Sequence, residues 1–441
     1  MHLLRYFKKD NITYLLNNLL IIYAFLIPIN NDARKSVFFV IFVLFIVRAN
    51  YSEYLKDVIK NKIMQAILIF YGITLLGFIY SDNIAYAYDT LHKAKYLLFP
   101  LLFLSFLDIR YTNRVLSAFL LGVFVSEIVS YLIILKMIPS QLFLYGHKVY
   151  KVFAANDPAP FIHHLDHNIL LAMTIAILLY QVFNKHTTLI VKIFTILFFI
   201  TASVNMSFIG SRTGYVLYIF LLYIVLLLSY KKHIVKILFI SSLASIVTIS
   251  LALHYSPMVK SKLQQTITSI EKMSSKNDYN SSLGLRVGFA KYSFKVISDN
   301  FFIGVGTGDH MDSVRALIPN EYAYLKDPVL MKEVHNVYLQ TLLQFGVIGL
   351  FSFLLIFYRM WICEGCSSYN RGIIIILVLA TLLYMIPGKF FGHFVLPMFG
   401  LVLSTMIINI KRKIVYSPLS VKVFLVYTLV TVVFLIIGIL K

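Results

Sequence analysis

Long runs of apolar residues, separated by short polar segments, dominate the chain. A helix of about 20 apolar residues is long enough to cross a bilayer. The pattern therefore predicts an all-α fold, a polytopic transmembrane helical bundle of about 12–13 helices, with one large loop late in the chain. The runs fall at residues 12–30, 36–48, 62–80, 94–108, 115–137, 168–184, 188–209, 213–229, 234–254, 337–358, 372–387, 391–410 and 421–440.

Composition supports an integral membrane protein. Hydrophobic residues make up 59% of the chain and charged residues only 13%, whereas an average soluble domain is roughly 25% charged. The formal net charge of +21 would suggest nucleic acid binding in a soluble protein. Here the basic residues lie mostly in short interhelical loops, where they suit anionic lipid headgroups. We therefore expect membrane lipids, and no nucleic acid, as partners.

The positions of lysine and arginine predict the orientation of the bundle. If the helices alternate in direction, the basic loops share one side, which the positive-inside rule assigns to the cytoplasm. The periplasmic side then carries residues 137–167, the turn around Arg212 and the long loop. The basic residues are Arg5, Lys8, Lys9, Arg48, Lys56, Lys60, Lys62, Arg110, Arg114, Lys185, Lys192, Lys231, Lys232, Lys236, Arg359, Arg371, Lys411, Arg412 and Lys413.

The long loop has the mixed composition of a small folded cap. Apolar spacing predicts helices over residues 260–272 and 283–297, with a mobile polar segment at 274–282 between them. We therefore divide the chain into transmembrane helices at 1–254, a periplasmic cap at 255–335 and transmembrane helices at 336–441.

Three polar positions stand out against this background. Arg212 lies in Gly-Ser-Arg-Thr-Gly between two apolar runs, where an arginine is costly unless it faces a cavity, a partner or the headgroups. Arg286 begins an amphipathic helix in the loop, and His335 ends the loop. Taken singly, each has an ordinary explanation: a snorkelling arginine, a solvated helix residue and a helix-capping histidine.

Three other motifs give weaker indications of chemistry. Gly304-Val305-Gly306-Thr307-Gly308 lacks the spacing of a dinucleotide-binding loop and reads as a tight turn. Cys363 and Cys366 form a lone C-x-x-C, which lacks the second ligand pair of a structural zinc site, and we expect two unrelated cysteines. The histidines at residues 163–167 have a spacing that could suit a metal but is also ordinary at a helix entry. We expect no metal and no cofactor.

Taken in order, the motifs resemble those of the O-antigen ligase and O-antigen polymerase superfamily. The resemblance covers about residues 160–350 and consists of the arginine turn, the loop arginine followed by Gly-x-Gly, and a closing His-Asn-x-Tyr-Leu with Gly-x-x-Gly. These are Arg212, Arg286, Gly304 to Gly306, His335 to Leu339 and Gly346 to Gly349. His167-Asn168 is similar to the family's asparagine before the preceding helix.

The resemblance implies a metal-independent glycosyltransferase of the cell inner membrane, active on the periplasmic face. Its donor would be an undecaprenyl diphosphate-linked glycan and its acceptor the lipid A–core of lipopolysaccharide, the reaction of an O-antigen ligase. Arg212, Arg286 and His335 would be catalytic, and both arginines would also bind substrate. Further substrate-binding residues would be Lys95, Asn336 and Tyr338, although Lys93 and Lys95 could instead be surface anchors.

The residue types suit that chemistry. Negative charge grows on the diphosphate as the glycosidic bond breaks, and arginine binds phosphate oxygens through a planar fork that stays charged. A histidine is the common general base for a hydroxyl group. We therefore expect Arg212, Arg286 and His335 to line one cavity, within about 10–15 Å of each other.

Three other functions remain open at this point. An O-antigen polymerase, which joins repeat units on the same carrier, uses the same donor chemistry and is the nearest alternative. A protein O-oligosaccharyltransferase is a further alternative. A transporter is disfavoured because the apolar runs show neither a series of charged residues nor paired interrupted helices.

Overall fold

A computed structural model describes residues 9–48, 51–144, 147–152, 157–327, 333–388 and 395–408 of the protein. Its helices are α1 (Lys9–Leu26), α2 (Asn31–Arg48), α3 (Tyr51–Ile59), α4 (Lys62–Ile79), α5 (Ile84–Ala94), α6 (Phe99–Phe106), α7 (Ile109–Ile134), α8 (His164–Asn184), α9 (Leu189–Phe208), α10 (Arg212–Ser229), α11 (Ile234–Tyr255), α12 (Pro257–Lys276), α13 (Ser282–Asp299), α14 (His310–Leu317), α15 (Val337–Ile362), α16 (Ser368–Tyr384) and α17 (Val395–Ile407). An antiparallel hairpin joins β1 (Gln141–Leu144) to β2 (His147–Lys151).

The predicted all-α, multi-pass membrane fold is confirmed. Among the described helices, seven are long and apolar enough to cross a membrane, and three shorter apolar helices accompany them. Each of the first twelve predicted apolar segments overlaps a helix. The last segment, 421–440, lies outside the described residues.

The predicted segment 94–108 differs in detail from the structure. The chain enters it as α5, tightens into a 3₁₀ turn at Lys95–Leu98 and continues as α6. Pro100 in the first turn of α6 has no N–H for a helical hydrogen bond, which favours a break there. Helix α5 escaped the prediction because it is amphipathic, with Asp89 and Lys93 among its apolar residues.

Two separate cores hold the described helices together. The larger is the bundle interior, in which α1 packs against α7, α8 against α10, and α4 against α15. The smaller lies within the loop helices, where Phe289, Met311, Val314 and Leu325 are buried together with Leu343 of α15. The loop therefore has an apolar interior of its own, closed against the bundle.

The two predicted loop helices are confirmed as α12 and α13. Serine residues cap both: Ser256 Oγ accepts from the N–H of Val259 at 3.2 Å, and Ser281 Oγ accepts from Gly284 at 3.0 Å. Helix α12 runs beyond residue 272 and ends at Lys276, and the capping residue Asn277 has a φ of +50°. Part of the segment predicted to be mobile is therefore helical. Neither α14 nor the β1–β2 hairpin was predicted.

Helix α15 contains a kink at Gly346, whose φ is +60°. The kink interrupts the helical hydrogen bonds, so the N–H of Val347 donates to Phe301 O at 2.8 Å instead. The carbonyl of Leu343 is correspondingly available and accepts from the N–H of Val305 at 2.8 Å. The segment that connects α13 to α14 is therefore hydrogen-bonded to α15.

The predicted tight turn at residues 304–308, here called the glycine turn, also binds α4. The N–H of Thr307 donates to Gly77 O at 3.1 Å, and its hydroxyl donates to Thr74 O at 2.8 Å. The N–H of Gly308 donates to the hydroxyl of Ser81 at 3.0 Å. The glycine turn therefore fixes the cap to both α4 and α15.

The opposite end of the bundle contains a cavity of about 1200 Å³. Its lining includes Lys60, Lys62, Lys185 and Arg359, four of the basic residues expected on one side of the membrane. Their shared position agrees with the predicted alternation of the helices.

Cys363 and Cys366 were wrongly predicted to be unrelated. They form a disulfide in the turn between α15 and α16, with Cα atoms 5.7 Å apart. The backbone turns sharply here, because both Cys363 and Gly365 have positive φ angles.

Candidate functional site

The Arg212 turn joins α9 to α10 and is tightly packed on two sides. Ser211 is buried and caps α10, its hydroxyl accepting from the N–H of Gly214 at 3.1 Å. A Cβ on Gly210 would lie 2.6 Å from Cε of Lys262, and a Cβ on Gly214 would lie 2.5 Å from Cβ of Asn168. Close approach of neighbouring side chains therefore explains both glycines of the motif.

A buried polar network supports the turn from the bundle side. Asn168 lies in the first turn of α8, and its Nδ2 is 3.4 Å from the carbonyl oxygen of Ile209. The neighbouring His167 is within hydrogen-bond distance of Ser126 Oγ, at 3.2 Å, and of Asn205 Oδ1, at 3.3 Å. This pairing gives His167-Asn168 a structural role beneath the arginine.

Arg212 is oriented by the cap. Its Nη1 donates to Oγ1 of Thr266 on α12 at 2.8 Å. The Thr266 hydroxyl in turn donates to the carbonyl of Lys262, also at 2.8 Å. A helix of the loop therefore sets the direction of the guanidinium at the start of α10.

Arg286 lies in the first half of α13, and its Nε is buried without a hydrogen-bond partner in the described part of the chain. Burial lowers the pKa of the Arg286 guanidinium from its usual value, and the positive charge of Arg212 lowers it further. The structure therefore brings these two predicted residues into electrostatic range of each other.

The two arginines concentrate positive charge at one place. Neither forms an ion pair with a carboxylate among the described residues, and the charge of Arg212 acts unfavourably on that of Arg286. An anion with several oxygen atoms would relieve this repulsion and satisfy the buried Arg286 Nε. Arginine forks bind phosphate oxygens in pairs, so the site suits a phosphate or diphosphate.

Three further polar residues lie around the turn. Oδ2 of Asp157, in the segment before α8, is 3.2 Å from Nδ1 of His164. Burial raises the pKa of the Asp157 carboxyl to about 6, while the N–H of Ala159 and the charge of Lys262 act in the opposite direction. Lys262 therefore lies between this pair and the Arg212 turn.

His335 ends the loop just before α15, in a backbone conformation with φ of +57°. Two residues earlier, Glu333 is 3.6 Å from Nζ of Lys93 on α5, and two residues later the N–H of Val337 donates to Met385 O at 3.0 Å. These contacts hold the flanking chain against α5 and α16. The expected approach of His335 to the two arginines stays a prediction.

The three predicted binding residues have well-defined contacts. Nζ of Lys95 lies 3.1 Å from Nε2 of His92. Oδ1 of Asn336 accepts from the N–H of Leu339 at 3.1 Å and so caps α15, and the hydroxyl of Tyr338 donates to Leu382 O at 2.7 Å. These contacts give Asn336 and Tyr338 structural roles, and substrate binding by all three stays a prediction.

Sequence reasoning did not single out Lys262, Thr266 or Asp157. Lys262 and Thr266 are four residues apart, so they share a face of α12, as side chains at this spacing do in any helix. That spacing could have indicated that Lys262 and Thr266 lie close together. Nothing in the sequence indicates which helix they face, and Asp157 lies in an irregular segment without periodicity.

In the part of the chain that the structure describes, no group of three or more His, Cys, Asp or Glu side chains is placed to hold a metal ion. The charged groups of the site are instead dominated by Arg212, Arg286 and Lys262.

Comparison with known proteins agrees with the geometry. Residues 196–354 match the family model described as O-antigen ligase. The matched range begins in α9, includes the Arg212 turn, Arg286 and His335, and ends in α15. A search of curated proteins returns no match to the chain. Residues 196–354 of this multi-pass membrane protein, which include the arginine turn and most of the capped loop, are therefore similar to the O-antigen ligase family.

Proposed function

We propose that the protein is an O-antigen ligase of the cell inner membrane. It transfers a glycan from undecaprenyl diphosphate to the lipid A–core of lipopolysaccharide on the periplasmic face. The observation that carries the proposal is the pairing of Arg212 with Arg286, two arginines near each other without a carboxylate partner among the described residues. A lipid diphosphate is the anion that fits both their charge and a position at the membrane boundary.

The two arginines act on the leaving group. As the bond between the anomeric carbon and the diphosphate oxygen breaks, the electron pair passes to that oxygen. Fixed guanidinium groups stabilise the added charge without reorganising, which lowers the barrier most in a site with little water. Thr266 holds Arg212 in its direction before substrate arrives.

His335 accepts the proton of the acceptor hydroxyl as its oxygen attacks the anomeric carbon. A neutral imidazole is a suitable base for this step near neutral pH. Because diphosphate is already a good leaving group, the reaction requires neither a metal nor a covalent intermediate. Lys95, Asn336 and Tyr338 are proposed to contact substrate around this centre.

In this proposal the membrane helices and the cap have different roles. Helices in residues 1–254 and 336–441 hold the lipid carrier in the membrane, and the cap at 255–335 closes over its headgroup. The cap's own apolar core and its bonds to α4 and α15 support this division.

A deletion strain tests the proposal and separates a ligase from a polymerase. Loss of a ligase leaves long glycan chains on undecaprenyl diphosphate and lipopolysaccharide with a bare core. Loss of a polymerase instead leaves core capped with a single repeat unit, because ligation continues. We expect bare core with lipid-linked polymer, restored by the wild-type gene, and a core carrying one repeat unit would assign the protein as the polymerase.

A further inference from the structure

Near Lys262, which packs against the Arg212 turn, lies a buried polar pair to which the proposed reaction gives no role. Asp157 is only 6% exposed. Its Oδ2 faces Nδ1 of His164 at 3.2 Å, but its Oδ1 is buried and has no hydrogen-bond partner among the residues that the structure describes. A buried carboxylate oxygen without a donor costs free energy unless another molecule supplies one.

The position of this pair relative to the arginines limits what that molecule can be. Lys262 packs over Gly210 in the Arg212 turn, and its charge also acts on Asp157. The pair therefore borders the proposed diphosphate site. The positive charge of Lys262 makes a further cation or a metal ion an unfavourable ligand here.

A neutral hydroxyl group meets both requirements. It donates a hydrogen bond to Oδ1 of Asp157 and adds no charge to the site. Sugars present several such groups, and the first sugar of a lipid-linked donor is bonded directly to the diphosphate. That sugar must therefore lie immediately beside whatever holds the diphosphate.

We propose that Asp157 and His164 form a subsite for the hydroxyl groups of the sugar that is joined directly to the carrier diphosphate. The inference rests on the proposed function, because it assumes that the two arginines hold the diphosphate. Asp157 accepts from one hydroxyl through Oδ1, and His164 keeps the carboxylate oriented through Oδ2. The subsite adds affinity for the donor glycan and takes no part in proton transfer.

The test compares two probes on the full chain in lipid nanodiscs: undecaprenyl diphosphate, and undecaprenyl diphosphate carrying one N-acetylglucosamine. We expect Asp157→Ala to weaken binding of the sugar-bearing probe by about 10- to 100-fold, as for a lost hydrogen bond to a charged group. Binding of the bare carrier should change by less than about twofold, since its contacts remain. His164→Gln should act in the same direction, and Asp299→Ala, which removes an exposed carboxylate of α13, should affect neither probe.

Each result of this comparison either supports or overturns the proposed subsite. Equal losses for both probes, or no loss for either, would overturn the subsite, as would a wild-type protein that does not prefer the sugar-bearing probe. If Asp157→Ala does not fold, Asp157→Leu gives the reading, because it nearly keeps the side-chain shape and removes both acceptor oxygens. Arg212→Ala tests the proposed function separately: it should weaken both probes, and unchanged binding of the bare carrier would remove the diphosphate site itself.

Discussion

Thr266 accepts a hydrogen bond of 2.8 Å from Nη1 of Arg212, although the two residues are 54 positions apart in the chain. The bond joins the membrane-boundary turn to a helix of the cap. Arginine side chains have many rotamers, and holding one in place before substrate binds removes an entropic cost from the reaction. The cap thus contributes to the site without supplying the charge itself.

Replacing Thr266 by valine should therefore slow transfer with little effect on folding. Valine has nearly the same shape but no hydroxyl, and one hydrogen bond to a charged group is worth about 1.5–3 kcal/mol. We expect a fall in rate of about tenfold or more, measured as glycan transferred to lipid A–core by isolated membranes. Thr266→Ser keeps the hydroxyl and should retain most activity. Equal activity of the valine and serine variants would show that the bond is irrelevant.

The chemistry at Arg212 depends on its fork as well as on its charge. Arg212→Lys keeps a cation but loses bidentate binding, so we expect a large loss of transfer, and a larger one for Arg212→Ala. Removing one donor aimed at a developing negative charge costs about 3–4 kcal/mol, or roughly a hundred- to thousandfold in rate. Protein levels in the membrane, measured by immunoblot, should be normal. Near-normal transfer by Arg212→Ala would leave the turn with a structural role only.

His335 can be tested without disturbing its backbone. Its φ of +57° is tolerated better by asparagine than by most residues. His335→Asn should keep the fold but remove the base, and general base catalysis typically contributes about a hundred- to ten-thousandfold. We expect the variant to reproduce the deletion phenotype in the cell. Wild-type lipopolysaccharide from this variant would exclude His335 as the base.

The kink in α15 predicts a strong effect at Gly346. Its φ is +60°, and a Cβ there would lie 2.3 Å from the backbone of Phe302. Gly346→Ala should lower the thermal unfolding midpoint of the protein in detergent and reduce transfer. Gly72→Ala in α4 is the matched control, because a Cβ there meets nothing within 4 Å. If both variants unfold at the wild-type temperature, the kink does not stabilise the cap.

Reporter fusions test the orientation of the bundle. Alkaline phosphatase is active only outside the cytoplasm, so a fusion after Ser282 in the cap should be active and one after Lys232 should not. The two sites lie on either side of α11, so they are predicted to face opposite sides of the membrane. Activity at both sites, or at Lys232 alone, would contradict the predicted topology.

Much of the fold could be predicted because membrane spans carry a strong local signal. Twenty apolar residues in succession have few alternatives to a helix in the bilayer. Helix α5 lacks that signal, since its charged residues interrupt the run, and the strands of the β1–β2 hairpin are only four and five residues long. The disulfide between Cys363 and Cys366 was not predicted, because the spacing of two cysteines does not show whether the turn between them brings their sulfur atoms together.

The candidate site could be predicted only in part, because only some of its residues belong to local sequence features. Arg212 and Arg286 were recognisable because an arginine at a membrane boundary and a motif in a loop are both local features. Thr266, Lys262 and Asp157 matter through partners far away in the chain. Such pairings depend on how α12 packs against the start of α10, which apolar periodicity does not encode.

The glycine turn has a consequence for how the protein is made. Its hydrogen bonds join α4, near the start of the chain, to α15, which the ribosome delivers only after more than half of the protein has been inserted. Until α15 arrives, the N–H groups of Val305 and Gly306 lack their acceptors, the carbonyls of Leu343 and Gln344, and the glycine turn can bond only to α4 and Ser81. A nascent chain that stops before residue 337 would therefore carry both arginines under a cap that is attached to α4 but not to α15, so the attachment of the cap is completed late in biogenesis.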